Sequence, residues 1–130
     1  MDNIIAALGQ SDRVRQVILY LAGWQLEGVL APMQVPFPEL TDLCFWIYGN
    51  DEPVIPDWFL CGSAPRLRSL WLESISFLGL PKLLPSAAHL VNLHLYRVPH
   101  SGYISPEVMV ALLSVLSSLE SFGIGFRSPM

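Results

Sequence analysis

The sequence predicts an α/β fold in which short parallel strands, each followed by a return segment, stack into one curved sheet. Three observations predict it. An apolar step of three residues and then two recurs along the chain, its copies lie 23 to 29 residues apart, and the stretches between them read as short helices or proline-broken turns. The step itself excludes simpler readings. In "PRLRSLWLESI" leucines stand at 67, 70 and 72, whereas a helix wants steps of three and four and a half-buried strand wants two throughout.

Aligned on the step, five copies emerge: "VRQVIL" at 14–19, "LTDLCF" at 40–45, "LRSLWL" at 67–72, "LVNLHL" at 90–95 and "LESFGI" at 119–124. Their first positions are separated by 26, 27, 23 and 29 residues. Those intervals fall in the range of leucine-rich repeats, roughly 20–29 residues with a core of L-x-x-L-x-L. Leucine occurs 22 times, so a single match would carry little weight, but five in register carry much. Positions four and six belong to a strand and point to the same side. Position one lies in the turn before it, so three residues separate two inward side chains. No repeat buries its own leucines; neighbours bury them for one another.

The return segments follow in order. "NIIAALGQ" has the pattern of a return helix without a preceding strand. "QLEGVLAPMQ" offers Leu26, Val29, Leu30 and Met33 at helical spacing, broken by Pro32. "IPDWFLCG" and "LPKLLPSA" are short and proline-interrupted, which predicts single turns or 3₁₀ pieces. "SPEVMVALLSVL" predicts a helix, with Ser105 as N-cap, Pro106 in the first turn and Glu107 favoured by the dipole. Its expected apolar stripe is Val108, Leu112, Val115 and Leu116. The polar stretch "PHSGYISPE" reads as a turn leading into that cap. The Asn or Cys that the most regular repeats carry after the core is replaced by Tyr48, Ile75 and Val98. Residues 1–130 are thus read as a single leucine-rich repeat domain of four to five repeats, an α/β solenoid with short helices and 3₁₀ turns on its convex side. Neither end carries the polar cap normal for terminal repeats, so the expectation is a fragment whose uncapped ends invite self-association.

Composition excludes several classes. Hydrophobic residues make up 52% and charged residues 14% of the 130, which is not the profile of a disordered chain. The longest apolar runs, "VILYLAGW" and "VMVALLSVL", reach about half the ~18–20 residues needed to cross a bilayer. The balance of 7 basic and 11 acidic residues gives a formal −4, and neither Arg13/Arg15 nor Arg66/Arg68 grows into a patch that would suit nucleic acid. The stretch "MDNIIAALGQ" carries Asp2 where a secretory signal would carry positive charge and has too short an apolar run to be expected to act as one. Cys44 and Cys61 make no disulfide framework, and no Asn-x-Ser/Thr site occurs. An intracellular protein, cytoplasmic or nuclear, is expected.

The same register names three columns of side chains that face away from the core. The first is Gln16, Asp42, Ser69, Asn92 and Ser121; the second Ile18, Cys44, Trp71, His94 and Gly123; the third Tyr20, Trp46, Glu73, Tyr96 and Gly125. Aromatic residues of this kind are enriched at interface hot spots. Tyr20, Trp46, Trp71, Glu73, His94 and Tyr96 are therefore the expected protein-binding residues on the concave face. The alternative is sheet packing, since cross-strand aromatics also stabilise sheets. The register further predicts that Trp71→Ala costs little stability. Catalytic chemistry is not expected: phosphate loops, nucleophile elbows and paired C-x-x-C motifs are missing. His89, His94 and His100 do not converge on a metal, and Cys44 and His94 lie two strands, about 10 Å, apart. No cofactor is expected.

A resemblance goes further. "SDRVRQVIL", "MQVPFPELTDL", "GSAPRLRSLWL", "GLPKLLPSAAHLVNLHL" and "VPHSGYISPEVMVALLSVLSSLESFGIGFRSP" resemble the leucine-rich repeat region of basidiomycete F-box-like proteins, from Asp12 onward. The resemblance implies a module that captures substrates for an F-box-type ubiquitin ligase. The chain has no room for the F-box ahead of its first repeat, so it would be the substrate-recognition part alone. Two alternatives stand beside this: the sensor repeats of an intracellular immune-type receptor, and a truncated copy without a partner.

Overall fold

The recurring step becomes a recurring hydrogen bond in the computed structural model, which describes residues 2–127. At the second position of each copy, one backbone carbonyl accepts two N–H groups from the next copy. Arg15 accepts from Thr41 and Asp42 at 2.8 and 3.1 Å, and Thr41 from Arg68 and Ser69 at 2.8 and 3.0 Å. Arg68 accepts from Val91 and Asn92 at 2.7 and 3.0 Å, and Val91 from Glu120 and Ser121 at 2.8 and 3.0 Å. Each copy thereby sets the register of its successor.

In chain order the elements are α1 (Asp2–Leu8), β1 (Gln16–Ala22), α2 (Gly23–Leu30), β2 (Asp42–Tyr48), β3 (Val54–Ile55), β4 (Ser69–Glu73), β5 (Ser76–Phe77), α3 (Leu80–Leu83), β6 (Asn92–Val98), α4 (Pro106–Val115) and β7 (Ser121–Phe126). Short 3₁₀ turns lie at Ala31–Met33, Phe59–Gly62, Leu84–Ser86 and His100–Gly102. β1, β2, β4, β6 and β7 form one five-stranded sheet in that order, and every pairing in it is parallel. β3 and β5 form a separate two-stranded parallel ladder. Strands that carry successive copies of the step are neighbours in the main sheet, and buried side chains of the segments between them join the inward strand positions in one core. Among the described residues no helix is long and apolar enough to cross a membrane.

The core lies between sheet and return segments. Leu43, Phe45, Leu70, Leu72, Leu93 and Leu95 are buried at positions four and six of the three central copies, with Leu40, Leu67 and Leu90 buried at position one. Leu26, Val29, Leu30 and Met33 are buried as the spacing predicts. The outer copies differ. Val14, Leu19 and Ile124 are only partly buried, and Phe122 of β7 is 38% exposed. β1 and β7 are the sheet's edges, so each lacks a neighbouring repeat on one side. One core position escaped the pattern. Phe37, Ala64, Ala87 and Leu116, each three residues before a copy, are buried, and each carbonyl accepts the N–H of the copy's first residue.

The return segments keep their expected lengths. Ser105 caps α4, its hydroxyl accepting from the Val108 N–H at 3.3 Å. Of the expected stripe of α4, Leu112 and Leu116 are buried and Met109 joins them, while Val108 and Val115 are 39% and 52% exposed. The flexible methionine reaches into the core from a position that the branched valine cannot fill. Val108 instead stays in the solvent-facing first turn beside its cap.

The 3₁₀ turn Phe59–Gly62 contains three left-handed residues in succession, Leu60, Cys61 and Gly62, with φ of 54°, 56° and 71°. A left-handed residue other than glycine costs about 1–2 kcal/mol. Cys61 is exposed and gains no burial in return. Cys61→Gly is expected to stabilise the protein by about 0.5–1 kcal/mol, after subtracting the extra freedom glycine gives the unfolded chain. Urea midpoints of the two proteins check this, with unchanged slopes.

Candidate functional site

The sheet's second face carries no covering element among the described residues. All-parallel sheets are ordinarily covered on both faces, which makes the residues on this one worth tracing from the register. The pairing Gln16–Asp42–Ser69–Asn92–Ser121 runs across all five strands, as does Ile18–Cys44–Trp71–His94–Gly123. The third column, Tyr20–Trp46–Glu73–Tyr96, holds across four strands. Its expected fifth member, Gly125, falls out of line because the β6–β7 pairing shifts between Leu95 and Val98. The first column is also less open than expected: Asp42, Ser69, Asn92 and Ser121 are half-buried.

The rings form a continuous chain. Tyr48 meets Tyr20 at 4.9 Å between centroids, Tyr20 meets Trp46 edge-on at 6.4 Å, and Trp46 meets Trp71 edge-on at 6.5 Å. Trp71 then stacks on His94 at 4.7 Å and meets Tyr96 edge-on at 5.3 Å. Five of the six residues expected to bind a partner (Tyr20, Trp46, Trp71, His94 and Tyr96) thus touch in sequence. Tyr48, which the sequence pattern placed in none of the three columns, joins them because β2 runs to residue 48 and keeps its alternation. Exposure declines along the chain of rings. Tyr20 is 67%, Tyr48 45% and Trp46 39% exposed, while Trp71, His94 and Tyr96 are half-buried.

Comparison with protein-family models, curated proteins and solved structures finds no match. The site therefore stands on its own geometry.

His94 is held at both ring nitrogens. Nδ1 lies 3.1 Å from the Tyr96 hydroxyl and Nε2 lies 3.0 Å from the Ser121 hydroxyl. This pair of bonds fixes the ring that Trp71 stacks on. Gly123 makes the arrangement fit, since a Cβ there would stand 2.9 Å from Cζ of Tyr96 and 3.0 Å from Nδ1 of His94. In the sequence Gly123 looked like a gap in its column; in the fold it is the space that Tyr96 occupies. Trp71 is more enclosed than its column position suggested, and its indole N–H is buried without a partner among the described residues. Such a donor costs about 1–3 kcal/mol of desolvation.

Nothing in this set forms a nucleophile–base pair. Burial, and then the Glu73 carboxylate, push the Cys44 thiol up from its ordinary value, which keeps it protonated at neutral pH and weakens it as a nucleophile. In the register Trp71 stands between Cys44 and His94. Among the described residues no group of three His, Cys, Asp or Glu side chains could hold a metal ion. Away from this face, Arg66, Arg68 and His89 line a hollow of about 530 Å³ together with Glu120. Arg66 already pairs with Glu39 at 2.9 Å, so the charges there are of mixed sign.

Proposed function

We propose that this chain is a non-catalytic leucine-rich repeat module that binds a protein partner through the uncovered aromatic face of its sheet. The observation that carries the reading is that face itself: an all-parallel sheet whose outward columns bring Tyr20, Trp46, Trp71, His94 and Tyr96 into contact, with Tyr20 and Trp46 exposed and the other three half-buried. Apolar patches of this kind mark interaction sites, and repeat arrays characteristically bind on the concave side. The repeated two-donor carbonyl and the consecutive strand order support a solenoid built of equivalent units. The resemblance to fungal F-box-like proteins supports the more specific role, substrate recognition for an F-box-type ubiquitin ligase. Glu73 sits among the rings and adds polarity to the contact. The open edges at Val14, Leu19, Phe122 and Phe126 favour self-association as a second mode of contact.

The test is capture from native cell lysate with the chain as bait, beside a Trp46→Ala/Trp71→Ala double variant shown by circular dichroism to stay folded. A specific protein retained by the parent and weakened by about 2 kcal/mol or more in the double variant is expected, because aromatic anchors dominate interface energies. Equal retention by both baits would mean that the aromatic columns serve the sheet alone.

A further inference from the structure

Glu73 has an environment that its neighbours do not explain. It is half-buried in the third outward column, in register with Trp46 on one side and Tyr96 on the other, with Trp71 two residues before it on the same strand. Among the described residues it makes neither ion pair nor hydrogen bond. The ion pairs are Arg66–Glu39 and Arg127–Glu52, and Arg97, which follows Tyr96 at the left-handed end of its strand, joins neither. The other carboxylate on this face, Asp42, is satisfied by the Gln16 amide at 3.0 Å and the Thr41 hydroxyl at 2.9 Å. The three outward columns hold no lysine or arginine, although exposed Arg97 follows Tyr96 in β6, and His94 is occupied by two hydroxyls. Glu73 thus stands beside electron-rich rings with no ion pair of its own.

We infer that Glu73, Trp46, Trp71 and Tyr96 form a receptor for an arginine side chain presented by the protein partner. The chemistry is specific to that side chain. A guanidinium is planar and weakly hydrated, so it lies on an indole or phenol face while its N–H groups fork onto a carboxylate. Trp46 meets Trp71 edge-on, and Trp71 meets Tyr96 edge-on, so rings of differing orientation occupy the strand positions beside Glu73. Partial burial strengthens the pairing, because a half-desolvated carboxylate gains more from a cation than one in open water. The free protein carries Glu73 without its counter-ion, and the partner supplies it. This inference rests on the reading of the aromatic face as a protein-binding surface.

The probe is a five-residue peptide with one central arginine, compared with the same peptide carrying citrulline, a neutral isostere. Titration is followed by the indole N–H resonances of the four tryptophans. Those of Trp46 and Trp71 are expected to shift saturably, while Trp24 in α2 and Trp58 beyond β3 stay put. Citrulline in the peptide, or Glu73→Gln in the protein, is expected to weaken binding about tenfold or more, as a lost charge-assisted hydrogen bond does. Equal binding of both peptides, unchanged binding by the Glu73→Gln protein, or shifts confined to Trp24 and Trp58 would overturn the inference. A Glu73→Gln bait added to the lysate capture separates the two readings. Loss of the partner in both the aromatic and the Glu73→Gln variants supports the arginine receptor. Loss in the aromatic variant alone leaves the binding face standing and removes the arginine, and retention by every bait removes both.

Discussion

Phe59→Ala is expected to destabilise the protein by about 3–5 kcal/mol, near the upper end of what removal of a core aromatic costs. Phe59 is 0% exposed and bridges two rings: Phe45 of β2 at 6.2 Å and Phe77 of β5 at 5.7 Å. It thereby links the main sheet, the 3₁₀ turn and the small ladder within one core. Alanine would leave a cavity that three separate elements border, and none can move in without losing its own partners. Domains of this size have about 5–15 kcal/mol in total, so roughly a fifth or more of the stability would be lost. Thermal melting should fall by roughly 10–20 °C. Differential scanning calorimetry of the two proteins measures it; a change of only a few degrees would mean that the layers are held elsewhere.

The central part of this core was legible because leucine at positions one, four and six is chemically repetitive. The preceding turn position was not, because Phe37, Ala64, Ala87 and Leu116 share a place and a hydrogen bond but not a side-chain type. Pattern reading compares residues; the turn only asks that something buried fit a gap of changing size. The strand ends were hidden for a related reason. Ser74 and Arg97 take left-handed backbone at φ of 64° and 51°, in places where glycine or asparagine would have announced it. On the aromatic face, strict alternation carried two outward columns across five strands and the third across four. It failed at Gly125, where an irregularity in the β6–β7 pairing re-aims the chain, and it missed Tyr48 because β2, at seven residues, outlasts the five of β4. In α4 the expected Leu112 and Leu116 are buried, but Met109 is buried in place of Val108, because valine and methionine are both apolar at adjacent positions. Only the packing distinguishes them.

Leu70 and Trp71, adjacent in the chain and on opposite faces of β4, give the sharpest test of that alternation. Leu70 is 0% exposed, enclosed by the return segments, and Leu70→Ala should cost about 3–4 kcal/mol from lost transfer energy and the cavity left behind. Trp71→Ala removes a larger side chain, yet the space it leaves opens to water and creates no void. What is lost is its stack on His94 and its edges on Trp46 and Tyr96, together about 1–2 kcal/mol. Removal of the unpartnered indole N–H returns part of that. This is more than the outward column alone predicted, because the half-buried ring has three aromatic neighbours. Urea denaturation of both variants should therefore rank the leucine above the much larger tryptophan, reversing the order of side-chain size. The reverse ranking would mean that Trp71 faces the core, and the aromatic columns would then lose their outward direction together with any binding role.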